Sequence, residues 1–306
     1  MRSYLRVQSP WSQLALFFLL LAGALFFTSL IGAGILLIKG VPVDSVKNLD
    51  FNNVQIVNLL KLIQGISTVT LFLIPGLIFA FIIFNYNQFY FFGFRKSEKN
   101  NFYILGILIV VFSVPFTSWL GEINQRIPLA KWMIDSEKDL GKQMDAFLKV
   151  RSTADIFINL FVVALLPAIC EEVLFRGCLQ RIMIYLFKNA WVGIIITAIL
   201  FSAFHMQFEG FLPRMFLGIL LGALFWYSGS LWVNIVAHFF INGSQVIAVV
   251  YFPKLADENP NVPIYLVILS ALLVAGLFII IKKQSTATYA KVYDFEKVNE
   301  RNEFIA

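Results

Sequence analysis

Charge is what this 306-residue sequence has least of: Asp, Glu, Lys and Arg together make 14% of it, where soluble domains carry about 25%. Hydrophobic residues reach 59% and include 33 Phe. That is more apolar surface than a water-facing fold of this length can hide, so a soluble globular protein is excluded. Basic runs are also missing. The net charge is +6, but Lys and Arg are scattered at the ends of apolar segments, which excludes nucleic acid as a partner. Cysteine is limited to Cys170 and Cys178. Two are too few for a disulfide framework and wrongly spaced for a CxxC motif, so they read as small packing residues. Internal repeats and the HExxH signature of helical zinc proteases are absent as well. Histidine occurs only twice, at positions 205 and 238.

What is present is a series of long apolar runs. A spanning helix needs about 20 mostly apolar residues, and eight candidates emerge, at 12–38, 56–84, 102–120, 154–177, 190–207, 211–228, 231–252 and 262–281. The expected fold is therefore all-α, a polytopic membrane helix bundle of about eight transmembrane helices. The first run is too long for a signal-peptide core and is read as a retained helix. Between the third and fourth runs, Glu122 to Arg151 is polar. There Leu129, Trp132, Met133, Leu140, Met144 and Phe147 recur at helical spacing, which predicts one amphipathic helix on the membrane surface. Residues 1–281 read as a single transmembrane domain with its functional core at about 150–250, and 282–306 as a polar, partly disordered tail. Basic residues lean towards both termini in the cytoplasm.

Ionisable groups inside spans cost about 2.5 to 3.5 kcal/mol each on insertion scales, which makes them functional candidates. They gather in three runs: Cys170-Glu171-Glu172 through Arg176 in the fourth span, Phe201 to His205 in the fifth, and His238 to Asn242 in the seventh. Glu172 and Arg176, four apart, can form an ion pair within the helix. Glu171 lies about 100° round the helix and is free to face something else. His238 and Asn242 share a face and offer two neutral donors to a developing oxyanion. A carboxylate with a histidine from another helix is the minimal kit for activating water without a Ser or Cys nucleophile. The same atoms have an alternative use, because Glu171, His205 and His238 are a three-ligand set for Zn2+ with one position left for water. Arg214, near the start of the sixth span, either lines the cavity or snorkels to the surface.

At these residues the chain resembles the CPBP family of intramembrane proteases, also called the Abi or CAAX-protease family, which includes the CAAX prenyl endopeptidases. The family pattern EExxxR, FxxxH, HxxxN/D reads here as Glu171-Glu172 with Arg176, Phe201 with His205, and His238 with Asn242, in order, over about residues 150–250. The resemblance implies a glutamate-dependent endopeptidase. In it Glu171 and His205 activate water, His238 and Asn242 stabilise the oxyanion, and Glu172 and Arg176 support them. It leaves zinc open. The implied partners are the lipid bilayer and a membrane-associated peptide or protein substrate, and the implied location is a bacterial cell membrane. Two other functions use the same polar cluster: a non-catalytic immunity or partner-binding membrane protein, and an ion-coupled secondary transporter.

Overall fold

The computed structural model describes residues 9–42, 49–83, 91–252, 262–289 and 292, and these form ten helices and no strand. In chain order they are α1 (Pro10–Ile38), α2 (Val54–Ile83), α3 (Asn101–Phe112), α4 (Val114–Gln125), α5 (Lys131–Leu148), α6 (Thr153–Phe187), α7 (Ala190–Phe204), α8 (Phe211–Ser228), α9 (Leu231–Tyr251) and α10 (Ile264–Gln284). The all-α polytopic bundle expected from the apolar runs is what forms.

The eight expected spans differ from one another in the structure. Six helices (α1, α2, α6, α8, α9 and α10) are each long and apolar enough to cross a membrane alone. The third expected span is instead the pair α3 and α4, bent by 40°. Pro115 sits in the first turn of α4, where it lacks the N–H that a continuous helix would need. The fifth, α7, has 15 residues, so it spans about 22 Å against about 30 Å of hydrocarbon. It stops at Phe204 rather than 207, so that His205 is its C-terminal cap residue. The fourth runs ten residues past its expected end, to Phe187, because the polar residues that seemed to end it are buried and partnered inside the bundle.

Local chemistry starts these helices. Ser152 and Asp155 form a reciprocal capping box at the head of α6, Asn53 caps α2 and Asn189 caps α7. Three stretches are wound more widely, as π-helix: 69–73 in α2, and 160–165 and 173–180 in α6. The last begins immediately after Glu172 and contains Arg176.

Helices α6, α7, α8 and α9 make the centre, with Phe175, Phe201, Leu224, Phe225 and Trp226 in the main core. α1 and α10 pack around that centre, adding Phe17, Leu21, Val274 and Ile281 to the core. They leave Leu19, Phe26, Phe27, Ile268 and Leu272 exposed, as a lipid-facing surface requires. The expected surface helix is α5, shorter than the 122–151 stretch, with Phe147 buried against Val57 and Trp132 exposed. The tail is not free where it is described. Ser285 Oγ donates to the Tyr227 carbonyl, Thr286 donates to Glu98, and Tyr289 stacks on Tyr185. Residues 290–291 and 293–306 of that tail lie outside the described residues.

Candidate active site

Glu171 and Glu172 are chain neighbours near the middle of α6 and face different surroundings. Glu172 is wholly buried and fully partnered. Arg176 Nη1 lies 2.9 Å from its Oε1, His238 Nδ1 lies 2.8 Å from the same oxygen, and Asn234 Nδ2 donates to Oε2 at 3.1 Å. Such a carboxylate has spent its acceptors on holding three side chains from two helices.

Glu171 is placed differently. His205 Nε2 is 3.9 Å from its Oε1 and His238 Nε2 is 3.9 Å from its Oε2, so each imidazole faces one carboxylate oxygen across a gap too long for a hydrogen bond. Both rings are anchored from behind. The Nδ1 of His205 meets the Phe201 carbonyl oxygen at 2.9 Å, and that of His238 meets Glu172. Carbonyl and carboxylate oxygens only accept, so both Nδ1 atoms carry the proton and, in the neutral ring, both Nε2 lone pairs point towards Glu171. The two-donor wall expected of His238 and Asn242 is therefore met at His238 only when Nε2 is protonated too.

Phe201 gives the aromatic position of FxxxH a physical task. Its ring lies 4.7 Å under the Arg176 guanidinium, packs edge-on to His205 at 4.9 Å and contacts Phe175 at 5.0 Å. One side chain thus fixes the guanidinium and an imidazole while its own carbonyl sets the tautomer. Side-chain exposure is 26% for His205, 9% for Glu171 and 6% for His238, so the site opens on the His205 side.

Asn242 lies one turn beyond His238 on α9, half-buried, and makes no hydrogen bond with a described residue. The amide that does join the cluster is Asn234, one turn before His238, which donates to Glu172 and, at 2.6 Å, to the Leu221 carbonyl. The spacing Asn234, His238, Asn242 puts all three on one face, and that was the available signal.

The loop between α7 and α8 completes the site. Its backbone turns left-handed at Met206 (φ 52°), directly after His205. Glu137 of α5 accepts the Phe208 N–H at 2.9 Å and the Glu209 N–H at 3.1 Å, and Asn124 of α4 bridges the Phe208 carbonyl and the Leu212 N–H. Arg214 Nη1 and Nη2 donate to the backbone and side-chain oxygens of Gln207. Neither Glu137 nor Asn124 stood out in the sequence, because both act on backbone groups far along the chain.

A zinc ion on Glu171, His205 and His238 needs nitrogen and oxygen ligands about 3.4 Å apart across a tetrahedral centre. Both pairs here are wider, and each imidazole addresses a different carboxylate oxygen. Among the described residues no three His, Cys, Asp or Glu side chains are grouped to hold an ion, so as placed these residues do not fit the metal.

Residues 153–244 match the protein-family model described as Type II CAAX prenyl endopeptidase Rce1-like. Neither a curated protein nor a solved structure matches the chain. The matched segment runs from the head of α6 to Ser244 in α9 and contains all three polar motifs.

Proposed function

On the premise that residues 153–244 belong to this family of CAAX-type intramembrane proteases, we propose that the protein hydrolyses a peptide bond of a membrane-associated substrate with a water held by Glu171 and His205. The observation that supports this most is the pair of 3.9 Å gaps on Glu171. Each is too wide for direct bonding, yet one water can sit about 2.8 Å from both sides.

In this reading His205 Nε2 accepts one water proton as a hydrogen bond and Glu171 takes the other. The water oxygen bonds to the carbonyl carbon of the scissile peptide, whose π electron pair moves to its oxygen. His238 in its doubly protonated form and the Asn242 amide donate to that oxyanion. Glu171 then passes its proton to the leaving nitrogen as the C–N bond breaks, and returns to a carboxylate. No step passes through a metal.

Backbone hydrogen bonds shield a helical span from attack, so the substrate is an extended terminus or juxtamembrane segment. The test uses purified protein in liposomes with a membrane-anchored peptide, products being read by mass spectrometry. Wild type cuts the peptide, and Glu171→Gln is slower by about 10³-fold. Wild-type rates from Glu171→Gln would remove the mechanism, and no cleavage by wild type would leave the partner-binding reading.

A further inference from the structure

Lys61 is a buried cation that the hydrolytic steps leave unused. It lies two turns into α2, on a face that packs inward along its length. On that face Val57 packs on Phe147 of α5, a Cβ at Gly65 would meet Leu166 at 3.7 Å, and Phe72 contacts Phe175 and Phe204. Only 3% of Lys61 is exposed, yet its ammonium makes no hydrogen bond or ion pair with a described residue. Its three N–H donors are therefore open to an anion, and a charge held within a membrane span favours having one.

The ammonium lies at the head of α6, where it interacts electrostatically with Asp155 and Arg151. Asp155 is already engaged, because its Oδ2 accepts the Arg151 and Ser152 N–H groups at 2.8 and 2.9 Å in the capping box. The 35-residue helix that it caps brings the positive end of its dipole to the same place. Two cations and a helix N-terminus thus outweigh one carboxylate that is spent on backbone groups. Just inside the span from these charges, Phe157 and Phe161 of α6 are exposed one turn apart, and so is Leu62 beside Lys61 on α2. An anion that fits both features carries hydrocarbon below its charge.

We infer that Lys61, Arg151 and the head of α6 bind the phosphate of an anionic membrane lipid whose acyl chain lies along Phe157 and Phe161. Free phosphate meets the charges but not the apolar wall beneath them. The lipid is held on the face where α5 lies and the candidate active site opens, and its binding does not depend on hydrolysis.

The experiment uses delipidated full-length protein in detergent. Phosphatidylglycerol and phosphatidylcholine with the same acyl chains are titrated in turn, and inorganic phosphate is the third probe. Bound lipid is counted by native mass spectrometry, and thermal unfolding is followed on the same samples. Wild type is expected to bind its first phosphatidylglycerol roughly tenfold more tightly than phosphatidylcholine, and only phosphatidylglycerol raises the melting temperature. Lys61→Met, which keeps the bulk and removes the charge, lowers that preference about fivefold. The exposed Arg151→Gln does the same without touching the core, and Lys283→Gln, an exposed cation at the far end of the bundle, leaves the preference unchanged. Equal binding of the two lipids by wild type overturns the inference, as does a wild-type preference in both Lys61→Met and Arg151→Gln. An equal loss in Lys283→Gln also overturns it, since that is what general surface charge produces, and so does stabilisation by inorganic phosphate as large as that by the lipid.

Discussion

Two adjacent glutamates sit in opposite surroundings, one partnered on both oxygens and the other 3.9 Å from each of two imidazoles. Glu172 is surrounded by Arg176, His238 and Asn234, so its value lies in holding charge still. Removing one member of a buried ion pair leaves the other uncompensated, at a cost of about 3–5 kcal/mol. Arg176→Met should therefore lower the unfolding free energy by that order and reduce folded yield. Denaturation of purified protein in detergent checks this, and unchanged stability would show that Glu172 does not need its partner. Asn234→Ala should slow cleavage with little loss of substrate binding, because it frees the carboxylate that orients His238. A KM change alone would argue against that role. At this scale much was legible in the sequence: Glu171, His205 and His238 meet in space, and Glu172 and Arg176 pair at four-residue spacing. The ring tautomers were not legible, because they depend on a backbone carbonyl at Phe201 and a carboxylate on another helix. Asn234 was missed because an amide in a membrane helix commonly serves as packing glue.

Among the elements, the short hairpin of α7 and α8 matters most. Helix α5 lies over its loop with Trp132 against Phe208 at 5.3 Å and Glu137 on two backbone N–H groups. Hydrogen bonds to a charged group contribute about 1.5–3 kcal/mol each. Glu137→Ala should loosen the loop that carries His205 and lower the cleavage rate on the order of tenfold, while the melting temperature of the bundle changes little. Cleavage at the wild-type rate would reduce α5 to a bystander. The start of the hairpin depends on a close approach, since a Cβ at Gly193 would lie 2.6 Å from the Ile184 backbone nitrogen. Overpacking of this kind costs about 1–3 kcal/mol, so Gly193→Ala should destabilise the protein measurably. Apolar length and charge spacing revealed most helices and the surface helix. They missed the widened turns of α6 and the early end of α7, because both are set by packing against other helices and not by local composition.

For the molecule as a whole, the helices alternate in direction so that the ends near Asn101, Ser228, Leu231 and Gln284 gather on one face. Asn101 donates to Gln284, and the Leu231 N–H to the Gly93 carbonyl. The loop carrying His205 and the surface helix α5 lie on the opposite face. The site thus opens away from the face to which the residues after α10 are tied, a relation that segment hydropathy alone did not reveal. The central claim is that Glu171 and two imidazoles hydrolyse a peptide bond with water alone. It is tested most directly by measuring cleavage after exhaustive chelation, with metal content determined on the same sample and Glu171→Gln run beside it. The account predicts full activity in metal-free wild type and a loss of about 10³-fold in the variant. Activity that disappears with the metal and returns with zinc, or a variant that still cleaves, would contradict it.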